Sequence, residues 1–519
     1  MDFKVDDNTL EDGLGKVESM RNWSPRLISK LENSIRSAGD EELFRINPLT
    51  WAAQKNVDEY EAVDLFLHAA KAGLFYMDWN IICPCCGKIS QSLRELHGLQ
   101  AQNACVVCFR KDRATLDDYV QITFTISPSI RSIRFHHPET LSLEEYCFKY
   151  LYEPSARMFG MTIDQVLQIF KKHFSTFSPG EKITVETEIG PGVLSCVDIF
   201  NQQSFGLRAS GEPAKETQKI AVKLTGSGFE VPLPQLKPGE FQAGNNNYAG
   251  TVYLVHPGSL VIEFEQCTAA KTALLVTLFA VTEFPASAQL PAGVDIKSLM
   301  NANTTPDAQF SNPRLTAKRL FACQTFHDLF RAEVFQESEG FGVKDVTILF
   351  TDLKSSTQLY QQIGDLNAYA LVREHYGILN KAVVEKHGAV VKTIGDAIMA
   401  AFTEPVDAVG AGLEMLRKLR LLNKESHLGN LVLKIGIHRG AAISVTLNDQ
   451  IDYFGQTVNI AARVQGSAGG DEIYLTEEIY HAAGVPDLLQ KQNCKIEPIQ
   501  IQLRGIEEQT KIYRVIGSN

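Results

Sequence analysis

The chain of 519 residues lacks any apolar run long enough to cross a bilayer as a helix; the longest, Thr272 to Val281, reads as a buried strand. It is also short of basic charge. Lys and Arg number 50 against 61 Asp and Glu, a formal charge of -11, which argues against a nucleic-acid protein, where a basic surplus supplies phosphate affinity. Met1 to Thr9 is acidic and polar and shows no signal peptide. No internal repeat is evident, which sets aside solenoid architectures. What these absences leave is a cytoplasmic chain with no membrane partner and room for about three domains with proper cores.

Cysteine is sparse, and four of the ten fall into a pattern. Cys83-Pro84-Cys85-Cys86 and Cys105-Val106-Val107-Cys108 are two CxxC knuckles with 18 residues between Cys86 and Cys105. Thiolates so spaced suit one tetrahedral structural zinc, gripped from two sides in a ribbon-like module. Cys85 leaves open which sulfurs of the first knuckle bind, and His97 is an alternative ligand. A redox dithiol needs one reactive CxxC rather than two matched ones. Cys147, Cys196, Cys267, Cys323 and Cys494 are scattered, as buried free thiols in a reducing compartment are.

Pattern along the chain divides it five ways. Residues 1–40 read as a helical lead-in. Residues 41–145 form a helical, winged-helix-like and zinc-knuckle module, with helices at Pro48 to Lys55 and Asp58 to Ala72 and a strand at Tyr119 to Ile126. The second helix is acidic through Asp58, Glu59, Glu61 and Asp64 and would repel DNA phosphates. Residues 146–284 hold a helix at Ile163 to His173 and then short strands between Gly and Pro turns, which predicts an antiparallel, sandwich-like β domain. Residues 285–340 read as a Pro-rich linker followed by a transducing helix, Ala317 to Gln336, exposing Leu320, Phe321, Phe326, Leu329 and Phe330. Residues 341–519 alternate strands and amphipathic helices, and Tyr369, Val372, Tyr376, Leu379 and Val383 make the core stripe of the first long helix. Strands are expected at 431–438 and 441–446, with Arg439 at a hairpin between them.

Three segments of this last region carry chemistry: Ile348 to Thr357, Val391 to Ala397 and Asp452 to Arg463. Asp352 and Asp396 each follow a strand-like apolar run, and hard divalent cations want carboxylate oxygens. Alone, such an Asp is usually a turn former or helix cap. Leu353, Lys354, Ser355, Ser356 and Thr357 make a short polar loop before a helix, where free backbone amides favour an anion. Asn459 and Arg463 are four apart and share one helix face.

Together these segments resemble the catalytic domain of the class III nucleotidyl cyclases over about residues 341 to 517, and the whole layout resembles soluble bacterial members with an N-terminal zinc-knuckle region. The resemblance implies an α+β, ferredoxin-like catalytic domain, preceded here by the helical/zinc-ribbon module and the β-sandwich-like domain. It implies two Mg²⁺ or Mn²⁺ per site on Asp352 and Asp396, and a triphosphate cradled by the 353–357 loop. It implies Lys392 and Asp452 reading the base, Asn459 orienting the ribose and Arg463 stabilising charge on the α-phosphate. Leu503-Arg504-Gly505 falls where relatives often carry Lys before Gly, so Arg504 is expected on phosphate. A donor Lys and an acceptor Asp match adenine and mismatch guanine, whose N1 donates and whose O6 accepts. The reading is therefore an adenylate cyclase acting on ATP as a homodimer, regulated through its N-terminal half by an unidentified ligand or protein. The alternatives are a guanylate cyclase and a non-catalytic nucleotide- or nucleic-acid-binding regulator that kept the fold.

Overall fold

The computed structural model describes residues 5–108, 111–158, 160–190, 193–234, 242–243, 246–247, 251–279, 308–425, 430–505 and 509–517. The N-terminal helices Asp7–Met20, Pro25–Ser37, Pro48–Lys55 and Glu59–Lys71 start where local chemistry tells them to. Asp6, Asn47 and Asp58 accept hydrogen bonds from the first free amides of their helices, and Pro25 and Pro48 take the first turn, where no N–H is needed. These helices pack on a three-stranded sheet in which Phe75–Ile82 lies between Ile89–Leu93 and Val120–Ile126.

The β-rich region holds two sheets around a core containing Phe177, Phe205, Phe264 and Leu194. In Gln218–Thr225 the alternation is regular, with Ile220, Val222 and Leu224 buried and the residues between them turned out. The expected antiparallel pairing is corrected at two places. Gln203–Ala209 pairs with Val252–Val255 in parallel, and Gln218–Thr225 pairs with Gly258–Gln266 in parallel, because long excursions rather than hairpins join them. The expected helix from Ile163 ends at Phe170, and Lys171–Phe177 is already an edge strand.

Residues 285–307 of the expected linker lie outside the described residues. The expected transducing helix is corrected to two short ones, Ala317–Phe321 and Gln324–Leu329, broken at Ala322 and Cys323. Leu320, Phe321 and Phe326 are not exposed but buried, with Phe321 and Phe326 both packed on Trp79. Full burial of such a ring stabilises by about 2–3 kcal/mol, so apolar spacing here records a core segment.

In the C-terminal region the strand order is Ala389–Ile394, Ala397–Phe402, Gly340–Leu353, Leu433–Leu447, Glu472–Thr476, Gln509–Ile516, Lys495–Gln502, with Gln450–Phe454 paired to Leu433–Leu447. Only Leu433–Leu447 and Glu472–Thr476 run parallel among the described pairs. Alternation divides the two faces. Leu349, Ile398, Ala400 and Phe402 join helices Asp365–Glu385 and Pro405–Glu425 in one core, whereas Ile348, Phe350, Met399 and Ala401 face the other way and share a core with Trp79, Phe321 and Phe335. The N-terminal helical module, the 315–335 segment and one face of this sheet are thus one apolar body.

Two finer expectations also change. Leu433–Leu447 is one continuous strand, so Arg439 is not at a hairpin; it pairs with Thr347 and forks onto Asp345 at 2.5 Å. The buried stripe of helix Asp365–Glu385 is Ala368, Leu371, His375, Leu379, Ala382 and Val383, and Tyr369 is exposed at 70%. No helix among the described residues is long and apolar enough to cross a membrane.

Candidate active site and cysteine cluster

Asp352 lies inside the end of strand Gly340–Leu353, paired with Lys434, rather than opening a turn. Asp396 occupies the two-residue turn between Ile394 and Ala397, where Gly395 has φ +63, a conformation that glycine adopts without cost. Burial, and then the neighbouring Asp396 charge, hold the Asp352 carboxyl above its ordinary range. Neither carboxylate has an ion-pair partner among the described residues. Lys434, opposite Asp352 in the ladder, offsets part of this repulsion by its charge but makes no ion pair. Two neighbouring carboxylates of this kind fit a divalent metal, which would relieve the rest.

Three side chains that sequence reasoning did not assign to the site surround this turn. Tyr360 donates to Asp396 Oδ2 at 3.3 Å, Tyr376 donates to the Gly395 carbonyl, and His375 Nε2 donates to the Asp396 carbonyl at 3.3 Å. Burial lowers the His375 pKa to about 4, so the ring is a neutral donor. Burial and Asp396 together push Tyr360 up to about 12. The available signal was His375 itself, a polar residue midway between Leu371 and Leu379 on the buried face.

The predicted phosphate loop starts at buried Leu353, passes through exposed Lys354 and Ser355, and enters helix Ser356–Ile363. Ser355 has φ +60, left-handed backbone in a residue with a side chain, and it makes no side-chain cap to the helix. The first amides of the helix therefore have no side-chain acceptor from the N-cap. Thr357 lies within that helix.

Lys392 Nζ donates to Asp452 Oδ2 at 2.5 Å, with Lys392 one-third exposed and Asp452 at 8%. Asp452 is not in a turn; it sits in strand Gln450–Phe454 opposite Val445, and its other oxygen accepts from Tyr453 N at 2.7 Å. Asn459 and Arg463 lie on helix Gln456–Ser467, Asn459 exposed and Arg463 half-buried. That helix rests directly on strand Leu433–Leu447 because Gly436 has no side chain: a Cβ there would meet the Gln465 backbone nitrogen at 2.2 Å. Gln465 Nε2, on the same helix, is buried without a hydrogen-bond partner among the described residues. A Cβ on Gly505 would lie 3.6 Å from an Arg463 guanidinium nitrogen, which puts the exposed Arg504-Gly505 turn beside Arg463. The seven charged and amide positions thus fall into three groups: Asp352 with Asp396, Lys392 with Asp452, and Arg463 with the 504–505 turn, Asn459 being one helical turn before Arg463. No hydrogen bond or ion pair joins one group to another among the described residues.

The second constellation is complete in itself. Cys83, Cys86, Cys105 and Cys108 are buried with all four sulfurs within 4.8 Å of one another, at the turn after Phe75–Ile82 and the turn between Gln102–Ala104 and Lys111–Arg113. Cys83–Cys108 and Cys86–Cys105 sulfurs are 3.5 and 3.6 Å apart. Bonds of about 2.3 Å to a tetrahedral metal would set sulfurs about 3.8 Å apart, so the cluster fits such an ion. Cys85 and His97 are not in the four-sulfur group, and His97 is exposed. Hydrogen bonds from its neighbours hold the Cys105 thiol well below its ordinary range, while Cys105 raises the thiols of Cys83, Cys86 and Cys108.

Residues 341–517 match the family described as "Adenylate and Guanylate cyclase catalytic domain", so this region is a nucleotidyl cyclase catalytic domain. Residues 16–270 match a "Family of unknown function (DUF5939)". Among individual proteins the chain is similar to an adenylate cyclase of Anabaena cylindrica, 28% identical over 185 residues, covering 33% of this chain and 36% of the relative. It is similar to the receptor-type adenylate cyclase GRESAG 4.2 of Trypanosoma brucei brucei, 26% identical over 212 residues with the same two coverages. The chain thus spans about a third of the length of these relatives. Of solved structures, the adenylyl cyclase CyaB from P. aeruginosa matches at 22% identity, covering 35% of this chain and 97% of that one with a TM-score of 0.31. The guanylyl cyclase Cya2 matches at 22% identity, 35% and 95% coverage and a TM-score of 0.31.

Proposed function

We propose that the C-terminal domain is an adenylate cyclase that converts ATP to 3′,5′-cyclic AMP and pyrophosphate at sites shared between two copies of the chain. The observation that carries this reading is the Lys392–Asp452 pair, a donor and an acceptor held side by side in a cyclase catalytic domain. Adenine offers an acceptor at N1 and a donor at its exocyclic amine, and its edge would replace the Lys–Asp bond with two of its own.

Asp352 and Asp396 would hold the two divalent cations, Mg²⁺ or Mn²⁺, whose chemistry is to activate the 3′ oxygen and offset charge on the triphosphate. The Leu353–Thr357 loop offers the helix-start amides to phosphate oxygens. Arg463 and Arg504 place guanidinium forks where charge builds as the 3′ oxygen attacks the α-phosphorus and pyrophosphate leaves. Asn459 orients the ribose so that attack is in line. Tyr360, His375 and Tyr376 fix the turn that presents Asp396.

Lys392 and Asp396 are four residues apart on one hairpin yet serve opposite ends of one nucleotide. A homodimer resolves this: Asp352 and Asp396 come from one chain, and Lys392, Asp452, Asn459, Arg463 and Arg504 from the other, giving two equivalent sites. Exposed Ile394, Ile443, Leu447 and Phe454 supply apolar surface for a second chain around that hairpin and the Leu433–Phe454 hairpin. The four clustered cysteines hold one structural zinc in a ribbon-like N-terminal module, and the N-terminal half regulates a cytoplasmic enzyme. Purified chain incubated with ATP or GTP and Mg²⁺ or Mn²⁺ is expected to yield cyclic AMP preferentially. Preferential cyclic GMP formation would make it a guanylate cyclase, and nucleotide binding without turnover would make it a binding regulator.

A further inference from the structure

Outside the catalytic domain, a cavity of about 380 Å³ opens between the end of the first helical module, the strands Phe75–Ile82 and Val120–Ile126, and the end of helix Leu143–Tyr150. Its chemistry is unusual for a structural void. Arg45 has φ +51, a strained backbone for a residue with a side chain, and is fixed from several directions. Its N–H donates to Thr125 Oγ1 at 3.1 Å, and Thr125 in turn donates to Asp78 Oδ2 at 2.5 Å. The guanidinium donates to the carbonyls of Lys149 and Tyr150 at 3.2 and 3.0 Å and to Ser92 Oγ at 3.1 Å. These three bonds immobilise the fork and leave two of its five N–H donors for another acceptor. Arg94 lies over the Tyr76 ring at 3.7 Å, and neither arginine has a carboxylate ion-pair partner among the described residues. The apolar wall is aromatic: Phe44 and Phe135 stack at 4.9 Å, with Tyr150 5.0 Å from Phe44.

Two cations, one buried acid and a wall of rings in a pocket of this size select a small flat anion. We infer that the cavity binds an aromatic carboxylate carrying a ring hydroxyl or amine, its carboxylate on Arg45 and Arg94, its ring against Phe44, Phe135 and Tyr150, and its donor on Asp78. The sheet beneath the cavity reaches the catalytic half indirectly: Ile122 N in strand Val120–Ile126 bonds Leu315 O of the 315–335 segment at 2.8 Å, and in the loop before that strand Leu116 N bonds Gly342 O at 2.9 Å. The inference does not depend on the cyclase reading.

Isothermal titration of the full chain with para-hydroxybenzoate tests it, with phenol and acetate as the ring-only and charge-only controls. Saturable binding of para-hydroxybenzoate at millimolar or lower concentration is expected, with both controls weaker by roughly 10-fold or more. Arg94→Ala, at an exposed position, and Arg45→Lys should each weaken it similarly while leaving thermal unfolding cooperative. Absence of saturable heat, phenol or acetate binding as tight as the probe, or binding unchanged in Arg94→Ala overturns the assignment.

Discussion

The cysteine cluster and the proposed nucleotide site are both built from residues on separate turns and strands, yet one is closed and the other open. Four sulfurs converge within one chain, buried, at separations that suit an ion. The candidate cyclase side chains stay in three groups, Asn459 and Arg504 exposed, and the carboxylates of Asp352 and Asp396 have no ion-pair partner among the described residues. A closed set stabilises the fold that holds it, whereas an open set needs substrate and, on our reading, a second chain to be complete.

That contrast can be broken by substitution. Asp396→Asn should lower turnover on the order of 10³-fold, since on our reading it removes a metal ligand, while the proposed zinc content and the melting of the N-terminal module stay as in the parent; steady-state kinetics and elemental analysis read the two effects separately. Cys105→Ser should act the other way round. Zinc should fall from one per chain towards none, and the helical and β-rich regions should lose protection in hydrogen exchange, because metal binding of this kind is folding free energy of roughly 10 kcal/mol. Freshly purified parent protein without zinc would remove the cluster from the account.

A smaller effect sharpens the open side. Lys392→Glu combined with Asp452→Cys reverses the hydrogen-bond demand and should shift the GTP-to-ATP ratio of kcat/KM upward by on the order of 10-fold. Equal loss on both nucleotides would show that these residues do not read the base.

The smallest effect lies at the seam between the two halves. Burial lowers the His327 pKa, and the ring bonds the Phe321 carbonyl at 2.8 Å. The unfolded chain therefore takes up a proton that the folded chain refuses, so stability should fall as pH drops below about 6.5 and be flat above it. His375, His136, His173 and His438 are lowered in the same sense, so His327→Gln should reduce that slope in denaturant titrations without abolishing it. An unchanged slope would place the acid sensitivity elsewhere.

Much of the catalytic region was legible because its elements are amphipathic in the ordinary way: the alternation of strands and helices over 341–519 and the first long helix, found at Asp365–Glu385, follow from periodicity. The strand that carries Asp452 was harder, because Gln450–Phe454 is only five residues long and follows positive-φ Asn448 and Asp449, so local pattern gives little sign of it. Tyr376 was read as core because its spacing fits the stripe, but its hydroxyl reaches a backbone carbonyl across the site, which spacing cannot show. The 315–335 segment misled in the opposite sense. Its phenylalanines look like one exposed helical face until Trp79, about 240 residues earlier in sequence, is seen to cover them. The parallel pairs of the β domain are likewise long-range facts that local pattern does not carry.

The central claim, that each nucleotide site draws metal ligands from one chain and base- and phosphate-binding groups from another, is tested by complementation. Asp352→Ala and Arg463→Ala proteins should each be nearly inactive alone. Mixed in equal amounts with free subunit exchange, half of the dimers pair one of each, and each such dimer has one intact and one doubly damaged site, so about a quarter of parent activity should return. A mixture that stays inactive while differently tagged chains co-purify would contradict the shared site.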